Sequence, residues 1–244
     1  MEFISFEEIA STNKYVRRNL KLKEFDVVIA KKQTDDQLKR GNIWISDKGG
    51  VFFSFWIQDR YELQKKIEIF SCYIVSEIIK GYIKESSKNN SKDESQNLKY
   101  KWPNDIYYKD KKISSIFCEK VRNKIIISIR INVNNSMDKM EDKAISLLKI
   151  SRQEYSTEEI IEKIMRTFQQ KIERLSKEWE EILFSLNSNN FLKNRKIKIE
   201  KNGKYLEKEY RFSRVNRAGK LLIIGKGDKE ETKCNTLNFI LIRN

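Results

Sequence analysis

Lys101-Trp102-Pro103-Asn104-Asp105-Ile106-Tyr107-Tyr108-Lys109-Asp110-Lys111-Lys112-Ile113-Ser114-Ser115-Ile116-Phe117-Cys118-Glu119 decides how this chain is read. The segment holds the only proline in 244 residues, with a lysine two positions before it and an amide and a carboxylate after it. Proline fixes its own φ and drives the preceding residue toward extended geometry, so the polar neighbours project in defined directions. Ile-Tyr-Tyr, a charged turn and Lys-Ile-Ser-Ser-Ile-Phe then read as two antiparallel strands joined by a tight turn. Rigid polar groups beside a hairpin, with Lys112 entering its second strand, suit a phosphate-rich or carboxylate ligand. From the residues alone, a strand start at Pro103 and a turn cap at Asp105 explain the segment equally well.

Outward from this segment the chain divides into recognisable pieces. Phe6 to Leu20 reads as a short helix and turn, Asp26 to Ala30 as a buried strand, and Lys31 to Asn42 as a loop. Gly49-Gly50 precedes a strand from Val51 to Ile57. Leu63, Ile67, Phe70, Ile74, Ile78 and Tyr82 recur at helical spacing and predict a helix from Glu62 to Lys84. Glu85 to Asn97 is rich in Ser, Asn, Lys and Asp and reads as a polar loop insertion. Lys124 to Val133 is a further strand, and Ile160, Ile164, Phe168, Ile172, Leu175, Trp179 and Ile182 mark one long helix from Thr157 to Leu186. After Phe191 the period falls to two: Lys196 to Glu200, Glu209 to Ser213, a turn at Ala218-Gly219, Leu221 to Ile224 and Phe239 to Ile242. Short strands with glycine turns suggest a small SH3-like barrel.

Composition bounds the chemistry. A chain of 244 residues that is 39% hydrophobic can bury a full core, so one domain with a small appendage is the natural organisation. The longest apolar run, Val51 to Ile57, is too short to span a bilayer, and Glu2, Glu7 and Glu8 argue against a secretory signal, so a cytoplasmic protein without membrane contact is expected. Cys72, Cys118 and Cys234 are scattered with no CxxC spacing, which predicts buried free thiols. There is no histidine, which removes Ser-His-Asp and Cys-His machinery and histidine-based metal sites. Chemistry driven by electrostatics on phosphates stays open. The formal charge of +15 would suit an acidic or nucleic-acid partner, but lysine is abundant throughout and no zinc-finger or RNP-like pattern occurs.

The pentapeptide Lys101-Trp102-Pro103-Asn104-Asp105 with its hairpin and Lys112 resembles the signature of biotin–protein ligases. Ser11-Thr12-Asn13, after Phe6-Glu7-Glu8-Ile9-Ala10, is similar to the family's first biotin-contacting turn. Gln33-Thr34, Arg40-Gly41, Trp44 and Ser46 resemble its ligand loop, and Ile131-Asn132-Val133-Asn134 its strand end after the hairpin. Order and spacing agree from about residue 5 onward. Some members carry an N-terminal helix-turn-helix; only about ten residues precede Ser11, so no specific DNA binding is expected.

The resemblance implies an α/β mixed-sheet biotin/lipoate ligase-like catalytic domain over residues 1–188, with the polar insertion at about 85–97, and an SH3-like barrel over residues 189–244. It implies ATP with Mg²⁺ as co-substrate and metal, biotin as substrate, and the biotin carboxyl carrier domain of a carboxylase as partner, for a monomer or homodimer. By position, Lys112, Lys101 and Asp105 match the catalytic groups, Lys112 touching first the biotin carboxylate and then the adenylate phosphate. Ser11, Thr12, Asn13, Gln33, Lys39, Lys112 and Ser115 match the biotin side. Gln37, Lys39, Arg40, Trp44, Asn104, Asn132 and Arg243 match the ATP and adenylate side, and Asp105 is also the candidate Mg²⁺ ligand. Helix capping alone would explain Ser11 and Thr12, and core packing would explain Trp44.

The chain also departs from the family. Asp36-Gln37-Leu38-Lys39-Arg40-Gly41 stands in place of Gly-Arg-Gly-Arg-Arg-Gly, Ser115 in place of a glycine beside the biotin pocket, and Ser128-Ile129-Arg130-Ile131-Asn132 in place of Gly-Ile-Gly-Ile-Asn. Asn235-Thr236-Leu237-Asn238 replaces Trp-Met-Gly-Gly. Losing one bidentate charged contact costs about 1.5–3 kcal/mol, roughly ten- to a hundredfold in adenylate retention. Three readings follow: a biotin–protein ligase with a divergent loop, a relative with lost or redirected carboxylate activation, and a basic nucleic-acid-binding module favoured by charge alone.

Overall fold

A computed structural model describes the chain except residues 36–43, 61–63, 89–92, 141, 202–203, 235–238 and 243–244. Its main body is a seven-stranded sheet built from β1 (Phe3–Phe6), β2 (Val27–Ala30), β3 (Val51–Gln58), β4 (Leu98–Lys101), β5 (Asp105–Tyr108), β6 (Lys111–Val121) and β7 (Lys124–Ile131). The spatial order is β1-β2-β3-β7-β6-β5-β4; β1 and β2 run parallel and every other pair is antiparallel. The helices are α1 (Thr12–Arg18), α2 (Gln64–Ser86), α3 (Leu147–Ser151), α4 (Thr157–Ile172) and α5 (Leu175–Ser188).

Alternation along the central strands sorts side chains onto two faces. Ile125, Ile127, Ile129 and Ile131 of β7, with Phe53 and Phe55 of β3, are buried in the main core with Ile67, Phe70 and Ile74 of α2 and Phe168 of α4. Phe168 packs edge-on against both Phe55 and Phe70, each with ring centroids 5.1 Å apart. Full burial of side chains of this size stabilises the fold by about 1.5–3 kcal/mol each. The intervening residues Ser54, Ser128 and Arg130 turn to the opposite face, where α1 lies. The described candidate residues Thr12, Asn13 and Ser115 gather on that second face.

The structure revises several sequence expectations. The single helix from Thr157 to Leu186 is two helices, α4 and α5. Both halves pack on α2, and each has a neighbour of its own, β3 for α4 and the C-terminal sheet for α5. Glu178 staples the joint, accepting from Lys171 Nζ at 3.1 Å and Arg174 Nε at 2.9 Å. The polar stretch from Glu85 to Asn97 is not all loop: α2 continues to Ser86, and Glu94–Asn97 forms a 3-10 turn capped by Asp93. Strands β1 and β4 were not expected. β4 is short and half charged, yet Leu98 and Tyr100 are buried, and its outer edge is covered by hydrogen bonds between Tyr100 and Asn189 (3.0 Å) and Phe191 (2.6 Å). Asp26 Oδ1 accepts the Glu2 amide at 2.9 Å just ahead of β1.

The C-terminal segment forms a second sheet, all antiparallel, from β8 (Lys196–Lys201), β9 (Lys204–Val215), β10 (Leu221–Gly225), β11 (Thr232–Lys233) and β12 (Phe239–Ile242), in the order β11-β10-β9-β8-β12. The turn before β10 places Gly219 at φ 71°, as the Ala-Gly pair suggested. This turn is hydrogen-bonded to the main body: Trp102 Nε1 donates to Gly219 O at 3.0 Å and Trp179 Nε1 to Arg217 O at 2.8 Å. The three cysteines are buried free thiols, and burial pushes the Cys72 thiol up. Among the described residues no helix is long and apolar enough to cross a membrane.

Candidate functional site

The hairpin of β5 and β6 is aligned by one irregularity. Asp105 lies opposite Ser115 and Ile106 opposite Ser114, but Tyr107 is opposite Lys112, so Ile113 is an extra residue in β6. In a regular strand Ser115 and Lys112, three apart, would face opposite ways. The bulge restores them to one face while Ile113 stays in the core. The main chain of Lys112 is fixed on its other side, where its N–H donates to Lys143 O at 2.9 Å and its carbonyl accepts from Ile145 at 3.0 Å.

The three side chains converge. Lys112 Nζ lies 2.7 Å from Asp105 Oδ2, and Ser115 Oγ donates to Asp105 Oδ1 at 2.7 Å. Lys101 adds a second cation: its Nζ is 5.3 Å from the Tyr107 ring centroid, and that of Lys112 is 5.8 Å from the same ring. Burial holds the Lys101 ammonium below its usual range; Asp105 opposes this, and Lys112 and Arg195 add to it. Tyr107 stacks on Phe191 at 4.2 Å, and burial pushes its hydroxyl up. Each Asp105 oxygen has one partner here, Lys112 on Oδ2 and Ser115 on Oδ1, and each keeps a further lone pair that could meet a cation.

Asn104 and the proline hold the loop. Asn104 Nδ2 donates to Ile116 O at 2.5 Å, and the Asn104 carbonyl accepts the Ile116 amide at 2.9 Å. Tyr100 Oη donates to Pro103 O at 2.8 Å, and the Trp102–Pro103 bond is cis. Asn132, expected on the nucleotide side, is 2% exposed; its amide donates to Ile145 O at 3.3 Å and its carbonyl accepts Asn135 Nδ2 at 3.2 Å. In this arrangement both asparagines spend their side chains on the main chain or a neighbouring amide.

The Ser-Thr-Asn turn lies across the central strands of the same face. Ser11 is the N-cap of α1, its Oγ accepting the Lys14 amide at 3.5 Å, so the capping explanation holds for it. Thr12 instead points inward: its N–H and Oγ1 both donate to Gln33 Oε1, at 2.8 and 3.0 Å. Thr12 Oγ1 also meets Ser54 Oγ at 2.8 Å, Ser54 Oγ meets Ser128 Oγ at 2.8 Å, and Asn13 Nδ2 donates to Ser128 Oγ at 2.9 Å. Gln33 Nε2 reaches Ser46 Oγ at 3.3 Å.

Cross-strand register extends the row Asp105–Ser115 to Arg130 and Phe52, so Arg130, only 3% exposed, lies on the site face beside Ser115. Trp44 is 8% exposed yet belongs to neither apolar cluster of the fold. Gln37, Lys39, Arg40 and Arg243 lie outside the described residues.

Sequence reasoning missed Ser54, Tyr107, Phe191 and Arg195 as site residues, and registered Ser128 and Arg130 only as departures. A signal existed for Ser54, a lone hydroxyl inside the apolar run Val51 to Ile57. None existed for Arg195, which reaches the hairpin by pairing with Asp110 at 2.5 Å and lies 4.0 Å from the Phe191 ring.

The site face is thus one side of a mixed sheet carrying lysines, a carboxylate and a hydroxyl network, with a small antiparallel sheet appended. Residues 5–136, more than half of the chain, match the model of the biotin/lipoate A/B protein ligase family, and the chain belongs to that family. A biotin protein ligase from Aquifex aeolicus in complex with biotin and ATP superposes with a TM-score of 0.79 at 20% identity, covering 100% of this chain and 99% of that one. The Leishmania major biotin protein ligase in complex with biotinyl-5-AMP gives 0.66 at 19% identity, covering 96% and 99%. The biotin acetyl coenzyme A carboxylase synthetase from Helicobacter pylori, with bound biotinylated ATP, gives 0.60 at 20% identity, also covering 96% and 99%.

Proposed function

We propose that this chain joins biotin to ATP as biotinyl-5'-AMP and then transfers the biotinyl group to a lysine of a biotin carboxyl carrier domain. The observation that carries the reading is Lys112, turned by the bulge onto the face of Asp105 and Ser115 beside Lys101. In the first step a biotin carboxylate oxygen bonds to the α-phosphorus and pyrophosphate leaves. In the second the acceptor ε-ammonium first gives up a proton to water, the resulting amine bonds to the acyl carbon, the acyl–phosphate bond breaks, AMP leaves with its electron pair, and the proton shed by the new amide nitrogen also passes to water. Neither step needs a protein nucleophile, in keeping with a chain that has no histidine. Both need opposing negative charges brought together, and fixed cations that face the reacting oxygens lower that barrier. Lys112 would exchange Asp105 for the substrate carboxylate and then the phosphate, leaving Asp105 held by Ser115 to receive the incoming ammonium.

The same reading makes residues 1–188 the catalytic unit and 189–244 an SH3-like appendage, in a cytoplasmic monomer or homodimer whose ATP arrives with Mg²⁺. Side chains at Ser115, Ser128 and Arg130, where the resembling family has glycine, favour a second reading: the same activation applied to another carboxylate. The test mixes the protein with biotin, MgATP and a carrier domain, beside a Lys112→Ala control, and follows pyrophosphate and acceptor mass. One biotin-sized increment that vanishes in the control supports the proposal. Pyrophosphate release only with a different carboxylic acid supports the second reading.

A further inference from the structure

We propose that Arg195 is a positioning residue: by clamping the Phe191 ring onto Tyr107 it fixes where the Lys101 ammonium stands on the site face. The inference rests on the activation chemistry proposed above, in which Lys101 is one of the cations that face the reacting oxygens.

Strand register brings the parts together. Lys101 stands opposite Asp105 across β4 and β5, and Tyr107, two residues further along β5, stands opposite Lys112 of β6. Alternation puts Lys101, Asp105 and Tyr107 on one face. Two ammonium groups share the Tyr107 ring, Lys101 Nζ at 5.3 Å and Lys112 Nζ at 5.8 Å from its centroid. β4 is the last strand of its sheet, and the chain after α5 closes its outer side. There the Tyr100 amide donates to Asn189 O at 3.0 Å and the Phe191 amide to Tyr100 O at 2.6 Å. These bonds deliver the Phe191 ring to Tyr107, stacked with centroids 4.2 Å apart and planes inclined by 28°. Lys101 Nζ lies 5.9 Å from the Phe191 centroid as well, so both rings are within the roughly 6 Å over which an aromatic face attracts a cation.

Arg195 completes the stack. Its Cζ lies 4.0 Å from the Phe191 centroid, and its Nη2 meets Asp110 Oδ1, in the turn between β5 and β6, at 2.5 Å. The planar guanidinium therefore lies on the ring while its ion pair ties it to the same hairpin that carries Tyr107 and Lys112. Without Arg195 the Phe191 ring keeps its main-chain anchor but loses this cover, and the seat of the Lys101 ammonium loosens. The Asp105 carboxylate opposite attracts the same ammonium and already holds Lys112 at 2.7 Å. A Lys101 drawn onto Asp105 no longer faces the reacting phosphate. A misplacement of about 1 Å is enough to cost roughly a hundredfold in rate.

The test follows biotin-dependent pyrophosphate release in wild type, Arg195→Ala, Arg195→Lys, Lys101→Met and the double variant Arg195→Ala with Lys101→Met. Arg195→Ala is expected to lower kcat about tenfold while KM for biotin moves less than about twofold, because Lys101 acts on the reacting phosphate. Arg195→Lys keeps the charge and the pairing with Asp110 but not the flat face, so its kcat is expected to stay closer to that of Arg195→Ala than to wild type. The double variant is expected to be no slower than Lys101→Met alone, since Arg195 acts through that lysine. A kcat in Arg195→Ala within about twofold of wild type, full activity in Arg195→Lys, a loss confined to KM for biotin, or effects that multiply in the double variant would overturn the proposal. If wild type releases no pyrophosphate with biotin, the proposed function fails, and proton NMR of the Lys101 ε-methylene, assigned by its absence in Lys101→Met, decides this inference separately. An upfield ring-current shift in wild type that is lost in Arg195→Ala sustains it; no such shift in wild type, or the same shift in both proteins, overturns it.

Discussion

Replacing Lys112 with methionine separates a catalytic charge from a structural one. The Lys112 and Asp105 side chains are 25% and 18% exposed and meet at 2.7 Å. Removing one partner of a fully buried pair costs about 3–5 kcal/mol, and exposed pairs contribute about 1 kcal/mol or less. This partly exposed pair, whose carboxylate keeps its Ser115 hydrogen bond, falls between them at about 1–2 kcal/mol. For a chain of this length that lowers Tm by roughly 2–8 °C, and the variant stays folded at 25 °C. The effect on catalysis is larger, because a preorganised donor at a developing oxyanion contributes about 2.7–4 kcal/mol. Biotin-dependent exchange of pyrophosphate into ATP is therefore expected to fall about a hundred- to a thousandfold. Differential scanning calorimetry and the exchange assay on one preparation check both halves. Activity within tenfold of wild type would refute the role given to Lys112. Collapse of Tm by 15 °C or more would show that the pair serves mainly the fold.

Other perturbations test the surroundings of the site. Burial holds Lys101 below its ordinary value of 10.5, so the unfolded chain binds more protons in the window between the two values. Stability of wild type relative to Lys101→Met should therefore rise as pH climbs through that window, read by denaturant unfolding from pH 7 to 10.5. Trp102→Phe removes the 3.0 Å bond to Gly219 O and should cost about 1 kcal/mol of stability by denaturant titration, with a larger proportional loss of exchange activity. Gly49 sits at φ 90°, and a Cβ there would come within 2.9 Å of the Asn134 and Asn135 main chain. Gly49→Ala should destabilise by about 1–3 kcal/mol, visible as a lower Tm.

The parts of the fold legible in the sequence were those whose pattern is local. Ile67, Phe70 and Ile74 announced α2 by spacing, and the turn of Lys109-Asp110 announced the hairpin. β1 and β4, each four residues long, are strands because neighbouring main chain pairs with them, which no property of Phe3–Phe6 or Leu98–Lys101 reveals. The joint between α4 and α5 was hidden for a related reason: the apolar stripe runs through it without interruption, and only the need to pack on two surfaces breaks it. At the site, Lys101, Asp105, Lys112, Thr12, Asn13 and Gln33 were found by resemblance, and the structure brings Lys101, Asp105 and Lys112 together, and Thr12, Asn13 and Gln33 likewise. What resemblance could not supply is how they are linked. The Ser54–Ser128 contact joins residues 74 apart in sequence, and its meaning depends on register across β3 and β7.

That register explains why side chains can stand where the resembling family has glycines. A glycine within a strand costs roughly 0.5–1 kcal/mol in chain entropy relative to alanine. Ser115 avoids this cost and adds a hydrogen bond to Asp105 of about 1 kcal/mol, and Ser128 does the same toward Asn13 and Ser54. Each exchange surrenders close approach of a ligand to the strand backbone and gains a fixed side chain beneath it. The two effects act on different quantities. Loss of backbone approach narrows the range of ligands that fit, whereas fixing Asp105 and Asn13 before binding removes ordering cost for any ligand that does. A site altered in this way is expected to be more selective than a glycine-lined one and better organised when empty. Its cations stand on strands: Lys112 is held through its own main chain on both sides, and Lys101 lies at the end of an edge strand closed by residues 189–191. The cations on which the proposed reaction calls are therefore already in position on the sheet.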